Sequence, residues 1–104
     1  MNIDAKPIFD TADSVVEAGR AIALKVNDAL ADDTRVSLSF KGIFAASSSF
    51  FNILFLDILN ANSGEVLMTQ LQLEYNSKVQ ESVGKRSLDA VLSSGGNGSV
   101  RIDK

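Results

Sequence analysis

Residues 35–61 read RVSLSFKGIFAASSSFFNILFLDILNA, and two patterns in them predict the fold class. Val36, Leu38 and Phe40 alternate with polar residues, a period of two that is typical of a β-strand. After a short loop, apolar residues dominate residues 48–61, which predicts a helix. A strand followed by a helix is the repeating unit of parallel α/β sheets, so we expect an α/β fold.

On the amino-terminal side of this stretch, the sequence predicts one short strand and one helix. Residues 6–9 are expected to be extended, and Pro7 limits them to a sheet edge or a first strand position. Thr11 or Asp13 is expected to cap the helix that follows. The apolar face of that helix is predicted to consist of Val15, Ala18, Ile22, Val26, Ala29 and Leu30.

On the carboxy-terminal side, the sequence predicts a second long strand and a third helix. Residues 62–64, Asn-Ser-Gly, have the composition of a turn, and residues 66–75 are expected to form the strand. Asn76 or Ser77 is expected to cap the third helix. Its apolar stripe is predicted to consist of Val79, Val83, Leu88, Val91 and Leu92.

These segments together predict a single α/β domain over residues 1–92. We expect a small, mostly parallel sheet with about three helices, joined by right-handed crossovers. Residues 93–104 are rich in serine and glycine, and we expect them to form a flexible tail.

The composition restricts the chemistry that the chain can perform. Its 104 residues include no cysteine and no histidine, which removes disulfides, thiolate metal sites and the commonest general base. The net charge of −3 argues against a surface that neutralises nucleic-acid phosphates. We therefore expect no enzyme activity, no catalytic residues, no cofactor, no metal site and no nucleic-acid partner.

The sequence also bears on localisation. The first ten residues carry Asp4 and Asp10 and no long apolar run, so they do not resemble a signal peptide. The most apolar stretch, residues 43–59, is interrupted by serines, Asn52 and Asp57, whereas a membrane span needs about 20 mostly apolar residues. We expect a cytoplasmic protein with no membrane contact.

The serine triplet Ser47, Ser48 and Ser49 lies where a loop meets the start of the second helix. A serine at this position can cap the helix, and the free amides and helix dipole favour an anion nearby. One interpretation is a phosphate-binding or phosphorylation site at the carboxyl end of the sheet. The other is helix capping, with small residues that allow close packing.

The second helix is apolar on every side, which is unusual for a helix that covers one face of a sheet. One interpretation is burial between the sheet and the flanking helices. The other is contact with another chain, either in a homodimer or with a different protein. The sequence leaves both open.

Residues 36–43 (VSLSFKGI) and 50–55 (FFNILF) resemble a known family. They are similar to segments of the STAS-like domain-of-unknown-function family, small bacterial and phage proteins related in layout to STAS domains such as anti-sigma factor antagonists. The resemblance covers residues 14–92, although Ser39 stands where the family usually has aspartate and Asn52 where it often has an acid. The residues that match the family's structural pattern are Arg20, Phe40, Gly42, Phe50, Leu54 and Phe55.

The resemblance also implies a phosphorylation switch. In STAS antagonists the corresponding loop reads Asp-Ser-Ser-Gly, and a partner kinase phosphorylates its second serine. In this sequence Ser47 takes the place of the aspartate and Phe50 that of the glycine, which makes Ser49 the implied phosphoacceptor and Ser48 the next candidate. A kinase-like ATPase or another regulator is the implied partner, docking over Phe50 and Phe51 until the phosphate charge prevents it.

Two classes of function follow from these observations. The first is a non-enzymatic regulatory module that works by protein–protein contact, as the resemblance implies. The second is a small anion-binding or nucleotide-binding domain or an accessory subunit, with the anion held by Ser47, Ser48 and Ser49. A structural phage or prophage protein is a further alternative.

Overall fold

The structure is a computed structural model that describes residues 1–32 and 35–94. These residues form an α/β fold with three strands and five helices. The elements, in chain order, are β1 (Asn2–Asp4), α1 (Lys6–Thr11), α2 (Val15–Ala31), β2 (Val36–Ser39), α3 (Ser48–Ala61), α4 (Gly64–Gln70), β3 (Leu71–Glu74) and α5 (Lys78–Ser94).

The three strands form one parallel sheet in the order β1-β2-β3, which confirms the predicted fold class. Both crossovers move in the same direction across the sheet, so right-handed connections place their helices on one face. The alternation of buried and exposed residues along the strands agrees with helices on one face, because Ile3, Val36 and Leu38 are buried beneath the helices. The opposite face carries polar side chains such as Asn2 and Gln72, which are exposed. The fold therefore has two layers.

The first strand lies earlier than predicted, because residues 6–9 are helical. Pro7 occupies the first turn of α1, where its fixed φ suits a helix and its missing N–H is not needed. The edge strand is β1 instead, and Ile3 is its buried residue. Pro7, which was expected to lie in an edge strand, therefore lies at the start of a helix.

Helix α2 is capped by Ser14, and the predicted caps Thr11 and Asp13 were wrong. The Ser14 hydroxyl accepts a hydrogen bond from the Glu17 N–H (3.1 Å). The Glu17 carboxylate in turn accepts from the N–H of Asp13 (3.2 Å), one residue before the cap, and so adds a second hydrogen bond at the helix start. The predicted apolar face is buried apart from Val15, which is exposed.

The predicted strand over residues 66–75 is a helix followed by a short strand. The Ser63 hydroxyl accepts from the Val66 N–H (3.2 Å) and starts α4, and Glu65 lies in its first turn. Only Leu71–Glu74 is extended. The β-branched Val66 and Thr69 favour a strand by propensity, but the serine cap decides the local conformation.

Helix α3 has the predicted bounds, and the fold covers most of its apolar surface. It packs against both α2 and α5, so its two flanks are buried within the domain. Leu56 remains 41% exposed on the outer side. The buried side chains are Phe50, Phe51, Leu54, Phe55, Ile58 and Leu59.

Helix α5 is capped by Ser77, whose hydroxyl accepts a hydrogen bond from the Gln80 N–H (3.1 Å). Ser77 is one of the two predicted caps. Val79 was wrongly placed in the apolar stripe, since it is 77% exposed. The helix extends to Ser94, two residues beyond the predicted domain boundary. The rest of the predicted tail, residues 95–104, lies outside the described residues.

The side chain of Tyr75 packs closely against α5 at Gly84. A Cβ added to Gly84 would lie 2.7 Å from the Tyr75 Cζ and 2.8 Å from its Oη, closer than van der Waals contact allows. Gly84 is therefore needed for close approach, although glycine is unfavourable inside a helix. The same packing buries the Tyr75 hydroxyl without a hydrogen-bond partner among the described residues.

Gly84→Ala is expected to lower the free energy of unfolding by about 1–3 kcal/mol, the usual cost of overpacking. In a Tyr75→Ala background the ring is absent, so the same substitution is expected to be neutral or stabilising, by up to about 1 kcal/mol. Urea denaturation of the four proteins in this cycle measures both effects. Equal effects of Gly84→Ala in the two backgrounds would contradict the contact.

Tyr75 should also make stability depend on pH in the alkaline range. Burial, with a smaller contribution from the Glu81 carboxylate, raises the pKa of Tyr75 from 10.0 to about 12. The unfolded phenol releases its proton near its ordinary pKa, whereas the folded one retains it. Stability is thus full below pH 10 and is lost as the pH rises toward 12.

Wild-type Tm is expected to fall more steeply between pH 10 and 12 than the Tm of Tyr75→Phe, which has no phenol to ionise. At neutral pH Tyr75→Phe should be at least as stable as the wild type, because the buried hydroxyl that it removes has no hydrogen-bond partner among the described residues. Tyr75 is the only tyrosine, so phenolate absorbance reports its titration alone. Parallel Tm curves for the two proteins would contradict this assignment.

Candidate functional site

The candidate site begins where β2 ends, at the carboxyl end of the sheet. Phe40 is fully buried, and the Ile43 N–H donates to its carbonyl (3.0 Å), which closes a tight turn. Gly42 within this turn has a φ of +85°, in the left-handed region that favours glycine. The chain is thereby redirected from the sheet toward α3.

A buried glutamine fixes this turn to the neighbouring loop. The Gln80 side chain donates to the Ile43 carbonyl (2.7 Å) and accepts from the Asn76 N–H (2.9 Å). The Asn76 side chain accepts from the Gly42 N–H (2.9 Å). We call these three side-chain hydrogen bonds of Gln80 and Asn76 the amide clamp. It joins the β2–α3 loop to the β3–α5 loop.

Directly after the amide clamp, the loop exposes a large aromatic side chain. Phe44 is 85% exposed, although Ile43 directly before it is buried. Ala45 next to it is also exposed. Phe44 is not among the predicted site residues. The sequence feature that could have identified it is an aromatic residue just after Gly42, in the loop that follows β2.

The three serines follow at the start of α3, and all three are exposed. The Ser47 hydroxyl accepts from the Phe50 N–H (3.3 Å), so Ser47 is the cap of the helix. Ser48 and Ser49 occupy the first two helical positions. The predicted cap is thus confirmed at Ser47, and both phosphoacceptor candidates are accessible at the surface.

Phe50 and Phe51, in contrast, are fully buried and cannot form the surface over which a partner docks. Their rings lie edge-on to one another with centroids 5.2 Å apart. Phe40 packs edge-on against Phe51 at 5.2 Å, and Phe9 against Phe50 at the same distance. Phe50 and Phe51 therefore belong to the core. The exposed aromatic side chain of this region is that of Phe44 instead.

The six residues that carry the resemblance to STAS-like domains also lie partly in the core and partly at the surface. Leu54 and Phe55 are buried in α3, like Phe50. Phe40 and Gly42 form the turn described above, so five of these six positions serve the fold. Arg20 is exposed on α2.

A cavity of about 320 Å³ lies beside the serines, between α3 and α5. Its polar lining includes Ser48, Asn52 and Arg86, and its apolar lining includes Val83. The Ser87 hydroxyl, which is buried, donates to the Asn52 side-chain oxygen. The guanidinium of Arg86 and the amino end of α3 make this the most anion-compatible part of the serine region.

The described residues, 1–32 and 35–94, contain no group of three or more carboxylates, histidines or cysteines placed to hold a metal ion. None of the helices in that part of the chain is both long enough and apolar enough to cross a membrane.

Comparison of this chain with protein families, with curated proteins and with solved structures found no match. The site therefore has to be interpreted from its own geometry.

Gln80→Leu should test the amide clamp. Leucine has a similar volume but leaves the Ile43 carbonyl and the Asn76 N–H without their partner, at a cost of about 1–3 kcal/mol in the free energy of unfolding. Gln72→Leu on the exposed sheet face is the matched control and should change it by less than about 0.5 kcal/mol. Urea denaturation measures both. Similar small effects would contradict a structural clamp.

Proposed function

We propose that this chain is a non-enzymatic regulatory module that binds another protein through Phe44, and that phosphorylation of Ser49 or Ser48 weakens this binding. The observation that carries the proposal is the exposure of Phe44 on a loop whose base is fixed by buried hydrogen bonds. The resemblance to STAS-like domains supports a regulatory role and a kinase-like ATPase or another regulator as the partner.

The physical case rests first on the cost of exposing Phe44. A phenylalanine ring in water gives up a favourable burial free energy of about 1.5–3 kcal/mol. The base of the loop, at Gly42 and Ile43, is held by Gln80 and Asn76, so a partner would bind next to a part of the surface that is already formed. Aromatic residues presented in this way are typical of the energetic centres of protein interfaces.

Phosphorylation would act on binding rather than on folding. Phosphoserine adds about −1.5 to −2 charges at neutral pH. At Ser49, in the first turn of α3, the helix dipole stabilises a negative charge, so the domain should stay folded. An apolar partner surface over Phe44 would have to desolvate that charge, which opposes docking.

The test compares partner binding by four variants of the full chain with that of the wild type. Once a captured partner has been identified and purified, calorimetry is used to measure its Kd. Phe44→Ala should raise the Kd by about tenfold or more, the effect of removing a central aromatic anchor. Leu24→Ala, which truncates an exposed side chain on α2, is the matched control and should leave the Kd unchanged.

Ser49→Asp should weaken binding while leaving Tm unchanged or slightly raised, since an acidic residue is favourable in the first helical turn. Ser49→Ala should bind as the wild type does. A Ser49→Asp protein with wild-type affinity would refute the switch, and a Phe44→Ala protein with wild-type affinity would refute the docking surface.

A second candidate function is supported by the cavity beside Ser48. We propose as the alternative that a phosphate-bearing small molecule or nucleotide binds there, with Arg86 as its cationic contact. Inorganic phosphate and a nucleoside triphosphate should then raise Tm for the wild type and less for Arg86→Gln. Arg20→Gln, an exposed position on α2, keeps Arg86 and should show the wild-type shift. A reduction as large as that in Arg86→Gln would indicate only non-specific binding of the anion.

A further inference from the structure

The cavity between α3 and α5 differs in charge from two other cavities of the molecule. Its charged lining residue is Arg86, and among the described residues no carboxylate lines it. The cavity on the open face of the sheet includes Asp4 and Glu74 in its lining. A cavity of about 350 Å³ beside β3, between α4 and α5, includes Glu81. Because the lining between α3 and α5 combines a guanidinium with no carboxylate, it favours a negatively charged ligand.

Arg86 is free to bind such a ligand. It is exposed, and it forms no ion pair with any residue that the structure describes. The neighbouring Lys85, in contrast, is paired with Glu81 (2.8 Å). An anion that binds Arg86 therefore does not have to displace a carboxylate.

Asn52 lies on α3 in the lining of the same cavity, and a hydrogen bond from Ser87 orients its amide. The Ser87 hydroxyl, which is buried, donates to the Asn52 side-chain oxygen. The oxygen end of the planar amide is thereby turned toward α5. The NH2 end, which can only donate, has no partner in the described part of the chain. Since Asn52 is exposed, a ligand can reach these N–H groups.

Ser48 adds a further donor on the same face of α3. It precedes Asn52 by four residues, about one helical turn, and both side chains line the cavity. Ser47 caps the helix, so the Ser48 hydroxyl is not used for capping. Arg86, Asn52 and Ser48 thus place N–H and O–H donors around one cavity, an arrangement that suits the oxygens of a phosphate.

The size and the remaining lining of the cavity limit the ligand. Its volume of about 320 Å³ is near the lower end of the range of roughly 300–1,000 Å³ that is typical of ligand pockets. Its apolar side chains are those of Val83 and Ala90, and its described lining includes no aromatic residue on which a base could stack. A phosphate with a small aliphatic substituent fits this lining better than a nucleotide does.

We propose, on the basis of the second candidate function, that the ligand of this cavity is a small phosphate monoester and that Arg86 and Asn52 bind it together. Ser87 is a positioning residue, because its hydroxyl holds the Asn52 amide with the NH2 end toward the phosphate. The aliphatic part of the ligand contacts Val83. The site is therefore built from both helices, with one phosphate contact on α5 and one on α3.

Titrations with inorganic phosphate, followed by NMR, test the roles of Asn52 and Ser87. The Kd should rise at least about fivefold in Asn52→Ala, because a hydrogen bond to a charged group is lost. Ser87→Ala should raise the Kd at least about threefold in the wild type but leave it unchanged in the Asn52→Ala background, because Ser87 acts through the amide. Ser82→Ala removes an exposed serine of α5 that does not line the cavity, and this matched control should bind like the wild type.

The same titrations separate failure of this proposal from failure of the second candidate function. If the wild type does not bind phosphate, or if Arg86→Gln binds it equally tightly, both are refuted. Weaker binding by Arg86→Gln together with wild-type binding by Asn52→Ala refutes only the roles of Asn52 and Ser87. An equal effect of Ser87→Ala in both backgrounds overturns its positioning role. Backbone amide spectra from each titration show that the variant is folded.

The class of ligand is tested with ethyl phosphate and adenosine monophosphate, which carry the same phosphate monoester group. Ethyl phosphate should bind at least about twofold more tightly than inorganic phosphate, because its ethyl group is partly buried against Val83. Adenosine monophosphate should bind no more tightly than ethyl phosphate. A Kd for adenosine monophosphate at least about tenfold below that for ethyl phosphate would indicate base stacking and overturn the small-ligand assignment.

Discussion

The structure depends on the packing of Phe40 at the end of the central strand. Its ring lies edge-on to Phe50 and Phe51 of α3, with centroids 6.2 and 5.2 Å away, and stacks on Tyr75 at 5.5 Å. One side chain thus contacts the helix layer and the end of the third strand together. Aromatic pairs in these geometries add to the burial free energy of each ring. The cluster explains why α3 can be apolar on both flanks without exposing them, since α2 and α5 close over the same aromatic centre.

The amide clamp turns this core into a platform for the surface loop. Gln80 is 7% exposed, and its side chain satisfies backbone groups from two different loops. A buried amide with both ends paired is stabilising, whereas the same amide unpaired would be costly. Phe44 is therefore displayed from a fixed base rather than from a loose connection. The proposed docking of a partner over Phe44 relies on this fixed base, and Ser49 follows Phe44 on the same connection into α3.

Helices cover only one face of the sheet, and this arrangement is the second constraint on the molecule. Parallel sheets are usually covered on both faces, but here the strands alternate between buried apolar and exposed polar side chains. Polar residues such as Asn2, Ser37 and Gln72 make the open face compatible with water. The cavity beside β3 is different, because it is lined mainly by apolar side chains and by Tyr75, whose hydroxyl has no hydrogen-bond partner among the described residues.

The sequence by itself determined the α/β class, the bounds of α3, the strand around Leu38 and the serine cap, because these follow from local periodicity and hydrogen bonding within a few residues. It misplaced the first strand and made residues 66–75 too extended, where the helix-starting roles of Pro7 and Ser63 prevail over strand propensity. Only the tertiary structure decided which aromatic residues are buried and which is exposed. Phe44, Phe50 and Phe51 have the same side chain, and the difference between them comes from packing, since Phe9 and Phe40 contact Phe50 and Phe51 in the core whereas Phe44 is exposed.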